Sequence, residues 1–292
     1  MSKDDATAVA DDSLDLPVSM FRTGEGEPEE TVITMYRVSQ DPDPAGEGVR
    51  GLVNVPVKFT EVDGMAVFEG DIVLGTVEEL RQPRTRGVGI TGRQFRWPNG
   101  IVPYVAQEAV RAKAEAAIAH WQQKTPFRFP KRTNQADFIS FEARNGCFSN
   151  VGRQGGKQVI SLGTGCSLGA AIHEIGHAIG LWHEQSREDR NKFVTIVREN
   201  IRPEALHNFD QHILDGDDLG NYDFGSIMHY PATAFSKNEQ PTIVVKVGNQ
   251  PIGQRNGLSK GDIQAARKMY PNLNWPAGDE AESPAGEATT SA

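Results

Sequence analysis

Apolar residues in positions 1–45 keep no sustained period, and GEGEPEE and DPDPAGEG are polar, Pro/Gly-rich and poor in core formers, so this stretch reads as disordered. From 46 to 86 the pattern tightens. VRGLVNVPVKFTE and GMAVFEGDIVLG predict strands, and TVEELR predicts a short helix. The Arg/Gly segment RQPRTRGVG then breaks the pattern, as exposed linkers and processing sites do. RWPNGIVPYVAQ reads as a turn and a strand, and QEAVRAKAEAAIAHWQQKT repeats apolar side chains at spacings of three and four, which predicts an amphipathic helix. FRFPKR, FISFEAR and KQVISLG predict short strands separated by the turns NQAD and RNGCFSN. A second helix is expected from Ser167, a good N-cap, to Gly180. A third follows Ser259, with Asp262 three residues on and Pro271 as its stop. The tail PAGDEAESPAGEATTSA is of low complexity and expected to be unstructured.

Composition changes this picture modestly. A chain of 292 residues with 38% hydrophobic and 8% aromatic content has ample material for one large or two smaller domains. No run reaches the roughly 18 apolar residues of a membrane helix. The first thirty residues carry acids and no apolar stretch, so they are not expected to be a secretory signal. Export by another route, a removed signal and an intracellular location all stay open. The net charge of −9 is uneven: residues 1–86 carry 8 basic and 18 acidic side chains, residues 87–275 carry 22 and 17. Either the two parts attract each other or they are two solvated surfaces of different composition. Basic residues are scattered rather than striped, which speaks against nucleic-acid binding.

The chemistry concentrates in HEIGHAIGLWHE, His173 to Glu184. On a helix, His173 and His177 project from one face one turn apart, so their imidazoles can share a Zn²⁺ ion. Glu174 stands beside the ion rather than on it, placed to take a proton from metal-bound water. Gly180 tolerates the backbone that ends a helix sharply. His183 then arrives from outside the helix as a third nitrogen ligand, leaving the open position of a catalytic zinc site.

HEIGHAIGLWHEQSREDR, with SIMHY at 226–230, resembles the astacins, a branch of the metzincin zinc endopeptidases. The likeness runs through RWPNGIVPYV, NGCFSNVG, GTGC, FSKNEQPTIV and IGQRNGLSKGDI, nearly all of 87–271. It implies one Zn²⁺ per chain on His173, His177 and His183, with Glu174 as general base in peptide-bond hydrolysis by a zinc-activated water. Met228 is implied to floor the site, and Tyr230 to be a movable zinc ligand that swings off to hydrogen-bond the tetrahedral intermediate. Glu184 is implied to meet the new N-terminus after activation; read alone, it is a surface partner for Arg187 or Arg190.

FEGD at 68–71 resembles the aspartate switch of astacin propeptides, with Asp71 filling the open zinc position from an extended segment. Read alone, an Asp after Gly is a turn residue. Cleavage after Arg86 would free an amine near Gly87. Cys147 and Cys166 match one of the family's disulfide pairs, and two buried free thiols are the competing reading; the family's other bridge is absent. A bridge implies an oxidising compartment, hence a secreted or extracytoplasmic protein, with a cytoplasmic one not excluded. Arg255 resembles a pocket residue that selects acidic side chains in some relatives; alone it is a solvated loop arginine.

The resemblance thus implies an α+β fold, a two-lobed metzincin-type protease domain with a twisted mixed sheet and long helices, preceded by a pro-segment. Its expected boundaries are an acidic disordered segment 1–45, a pro-segment 46–86, a catalytic domain 87–275 and a disordered tail 276–292. The expected partners are protein or peptide substrates and the chain's own pro-segment as intramolecular inhibitor, in a monomer. Two rivals remain: a non-catalytic zinc-stabilised binding module, and an intracellular protein whose front half is a permanent inhibitory or partner-binding arm.

Overall fold

The computed structural model describes residues 29–38, 49–81, 95–211, 218–246 and 248–276. The linker with Arg86 and Gly87, the segments 1–28 and 39–48, and the tail from 277 lie outside the described residues.

Strand β1 (Glu29–Val38) pairs antiparallel with β2 (Val49–Val62), with Glu29 opposite Phe59. For residues 29–38 alone this departs from the expected disorder: the β-branched and aromatic run TVITMYRV supports a strand despite its Pro/Gly-rich flanks. β2 turns into β3 (Met65–Phe68) through Asp63 and Gly64, at φ 51° and 76°. Asp-Gly suits a two-residue hairpin because both positions need positive φ. β3 and β4 (Ile72–Thr76) form a second hairpin whose tip is Glu69-Gly70-Asp71, with Glu69 and Gly70 at φ 47° and 81°. Asp71 therefore sits on a tight tip, not on the extended segment expected for it. Thr76 and Glu79 exchange hydrogen bonds of 3.1 Å at the start of α1 (Val77–Arg81), a reciprocal cap.

The second part begins with β5 (Tyr104–Ala106) and α2 (Glu108–Lys124), followed by β6 (Phe138–Glu142), β7 (Cys147–Ser149), β8 (Lys157–Leu162) and α3 (Leu168–Ile179). FRFPKR makes only isolated bridges, Ile101 with Arg128 and Tyr104 with Lys131; Pro130, lacking an N–H, interrupts any ladder there. CFS, expected within a turn, is β7. One mixed sheet runs β1-β2-β3-β4-β7-β8-β6-β5. The joint between the two parts is the parallel pair β4–β7, with Ile72 beside Ser149. There Ser149 N donates to Asp71 O at 2.8 Å and Asn150 Nδ2 to Val73 O at 3.0 Å.

α2 and α3 pack on each other and on the sheet. Trp121 is fully buried between them, its indole N–H donating to Ile172 O at 3.0 Å. Trp97 does the same at the far end of α3, to Ala178 O at 2.8 Å. Beyond α3 the chain is mostly irregular, carrying the small ladder β9 (Val194–Ile196) with β10 (Ile243–Val245) and the closing helix α4 (Lys260–Met269). Ser259 and Asp262 cap α4 reciprocally at 2.8 and 2.9 Å. The architecture is α+β. The main core spans both lobes, from Phe127 and Ile139 to Phe209 and Tyr270. A smaller cluster of Phe59, Ala66, Phe68, Ile72 and Leu74 closes over Val151 and the half-buried Trp182.

Candidate metal centre

α3 is fixed at both ends. Ser167 Oγ accepts from Ala170 N at 3.1 Å, a cap worth about 1 kcal/mol. The residue just before the cap, Cys166, is disulfide-bonded to Cys147 on β7, so the implied pairing is formed. At the other end Gly180 takes φ 118° and turns the chain, and Leu181 N returns to Gly176 O at 2.9 Å. A Cβ on Gly176 would lie 2.7 Å from Met228 Sδ, so glycine there lets Met228 pack directly under the helix.

This framework brings His173, His177 and His183 together, all buried. Each uses Nδ1 on an acceptor: Ile227 O at 2.8 Å for His173, Leu181 O at 2.8 Å for His177, and Glu69 Oε2 at 2.7 Å for His183. With the proton on Nδ1, each Nε2 lone pair is free to ligate. The three Nε2 atoms converge on the carboxylate of Asp71, at 3.2 Å (His173), 3.6 Å (His177) and 3.1 Å (His183). One ligand atom from each of the four residues lies within 4.8 Å of all the others. His177 Nε2 and Asp71 Oδ1 are buried without a hydrogen-bond partner among the described residues. Buried polar atoms left so are costly, and three imidazoles with one carboxylate are a donor set that suits Zn²⁺. The residues fit the ion.

Electrostatics follow the same layout. Burial alone would raise Asp71, but the three imidazoles outweigh it and hold its carboxyl well below the usual range. Burial lowers His177, and burial with the Arg255 charge lowers His173 to about 3. His183 is the exception: burial pulls it down, yet the Asp71 and Glu69 carboxylates lift it to about 9. Glu174 is buried, and neither of its oxygens has a hydrogen-bond partner among the described residues. Burial and then the Asp71 charge push its carboxyl well above the ordinary value.

Tyr230, fully buried, donates its phenol to Glu69 O. Its backbone N–H is held by Gln185 Oε1 at 3.0 Å. His229 bridges Tyr222 Oη at 2.7 Å and Tyr230 O at 2.8 Å. Arg255 is half-buried, and its Nη1 donates to the carbonyls of Ile227, His229 and Gln254 at 2.8–3.0 Å. Gly169 is what lets this loop approach α3, since a Cβ there would fall 1.8 Å from Arg255 O. Glu184 accepts from Asp223 N at 2.7 Å, with Arg187 at 3.7 Å, and burial raises it to about 8.

Two participants were not singled out for the site from sequence. Glu69 is fully buried, its second oxygen accepting from Ser186 Oγ at 2.7 Å. Asp262, noted only as a cap, also takes Ser226 Oγ at 2.6 Å and Ile227 N at 3.0 Å, clamping the turn that carries Met228. The one sequence hint for Glu69 was its place two residues before Asp71 in FEGD.

Residues 89–271 match the family described as Astacin, a family of peptidases. Human Tolloid-like protein 1 is 42% identical over 211 residues, 67% of this chain and 20% of that protein. Zinc metalloproteinase nas-13 of Caenorhabditis elegans is 43% identical over 184 residues, 60% of this chain and 41% of that protein. Among solved structures, high choriolytic enzyme 1, a hatching enzyme zinc-protease from the medaka Oryzias latipes, matches with a TM-score of 0.57 at 40% identity. The match covers 61% of this chain and 93% of that one. The chain spans only about a fifth of the length of the Tolloid-like relatives.

Proposed function

This chain belongs to the astacin family of peptidases, and from that premise we propose that it is a zinc-dependent endopeptidase held latent by its own residues 46–86. One observation carries the reading: three Nε2 atoms converge on a single carboxylate, near the buried Glu174, whose oxygens have no hydrogen-bond partner among the described residues.

His173, His177 and His183 would hold the ion, and Asp71 would fill the remaining position until the hairpin leaves. Zinc bound there supplies Lewis acidity, bringing the pKa of water towards about 7 and polarising a substrate carbonyl. Glu174 takes the proton of the attacking water as the new C–O bond forms. It then passes that proton to the amide nitrogen as the C–N bond breaks, so it ends the cycle ionised. Tyr230, released from Glu69 O, donates its phenolic hydrogen bond to the oxyanion. The guanidinium of Arg255, anchored through Nη1, would meet an acidic substrate side chain with its remaining face. Cleavage after Arg86 would deliver a positive amine near Gly87 to Glu184, whose half-buried carboxyl ionises most readily beside such a partner. The disulfide favours an oxidising, extracytoplasmic location. The alternative of a non-catalytic zinc-stabilised module leaves the buried Glu174 carboxyl without a purpose.

The test is casein hydrolysis by the trimmed chain, with metal content measured alongside. Chelation is expected to abolish activity, and Glu174→Ala to lower it about 10²–10⁴-fold while zinc stays stoichiometric. Undiminished activity in that variant, or a wild-type chain that holds no zinc, would sink the reading. Peptide-library cleavage by the same preparation reads the Arg255 pocket.

A further inference from the structure

The hairpin tip places two carboxylates on opposite sides of one imidazole. Asp71 meets His183 at Nε2, 3.1 Å away, and Glu69 meets it at Nδ1, 2.7 Å away. The other two histidines take their Nδ1 acceptors from backbone carbonyls at 181 and 227, within the catalytic part itself. Only His183 borrows its acceptor from the pro-segment, 114 residues away in sequence.

We infer that Glu69 is a positioning residue for zinc, completing His183 as a ligand while the hairpin is docked and surrendering that role when the hairpin is removed. This rests on reading the site as a zinc centre capped by its pro-segment. A carboxylate acceptor orients the imidazole, fixes its tautomer and makes the opposite nitrogen a better donor than a neutral carbonyl acceptor does. The Glu69 carboxylate has little freedom to leave that role. It is fully buried, Ser186 Oγ occupies its other oxygen at 2.7 Å, and the buried Arg190 lies close enough to feel its charge. Glu69 also holds a left-handed backbone at φ 47°, uncommon for a residue with a Cβ, and this bend lets residues 69 and 71 both face the site. The Tyr230 phenol is held by the main-chain oxygen of Glu69, so changing the side chain leaves that contact in place. The processed protein would then hold its ion less firmly than the latent one.

The experiment uses the uncut full chain, zinc-loaded, and follows transfer of zinc to a competing chelator. Glu69→Gln is expected to speed transfer about 10-fold or more, the usual size of a lost outer-shell partner. Glu69→Gly, which suits the positive φ, should do the same and covers the case of a glutamine variant that folds poorly. Asp63→Asn loosens the hairpin elsewhere, at the exposed Asp63 contacts with Asn145 of 2.8 and 2.9 Å. It is expected to leave transfer within about twofold of wild type, since it removes no partner of a ligand. The Nδ1–H resonance of His183 should move in the Glu69 variants and stay in Asp63→Asn. Unchanged transfer in both Glu69 variants, or equal acceleration by Asp63→Asn, overturns the inference. A wild-type chain that binds no zinc instead overturns the enzymatic reading on which it stands.

Discussion

The astacin-family part and the hairpin segment before it are stabilised in different proportions. The former closes over a large core in which both buried tryptophans hydrogen-bond α3 and a disulfide ties the sheet to the start of that helix. Among the described residues the latter has two smaller buried clusters, one of eight residues that includes Val151 and one of Val62, Val67 and Val73 with Phe148. A core that small is marginal alone. It is held in place by apolar contacts with Phe148, Val151 and Trp182 and by polar contacts concentrated at one tip: Asp71 among the histidines, Glu69 behind His183, and a main-chain bond to Ser149. One large core carries the following part, whereas the hairpin segment relies on small clusters and on a tip whose contacts reach across to its neighbour.

That contrast can be broken from the catalytic side first. Trp121→Ala removes a fully buried indole and leaves Ile172 O without its donor, so a loss of about 3–5 kcal/mol is expected in denaturant unfolding. Because the same indole supports the helix that carries His173, zinc should be lost with it. An unfolding midpoint close to wild type would contradict the weight placed on this core.

Phe68→Ala sharpens the contrast from the other side. The truncation costs about 3 kcal/mol where the ring packs, but that cost falls on docking of the hairpin. The main unfolding transition should move little while the uncut chain begins to hydrolyse casein unprocessed. If instead the whole chain unfolds earlier and stays latent, the two parts form one cooperative unit.

The smallest expected effect is a pH dependence at Glu184. Burial lifts its carboxyl from an ordinary 4.5 to about 8, so the folded chain keeps a proton that the unfolded chain releases. Stability is therefore lost as pH rises from about 4.5 to about 8, because ionisation favours the unfolded state across that window. Glu184→Gln should melt alongside wild type near pH 4 and increasingly above it as pH approaches 8. After trimming, with the amine at hand, the gap should narrow. Melting curves that stay parallel at every pH would show that this carboxyl is not strained.

Much of this was legible in the sequence wherever geometry is local. The 173/177 spacing, the glycine that stops α3, the Ser167 cap and the Ser259–Asp262 pair each encode their shape within a turn or two of chain. The disulfide was implied by resemblance to a family, not by spacing. β1 and β7 escaped notice because turn-forming neighbours dilute short β-prone runs. Glu69 could not be placed behind His183 by any local period, since the pair depends on how two hairpins and a sheet joint route the chain. Asp262 was visible as a cap, but its grip on residues 226 and 227 arises only when α4 docks.

The sheet joint has a last implication. While the hairpin is attached, the three-residue strand at Cys147–Ser149 lies inside a continuous eight-stranded sheet. Were the hairpin detached, that strand would become a rim, with the amide of Ser149 stripped of its carbonyl. So short a rim gives neighbouring molecules little purchase for fibrous stacking.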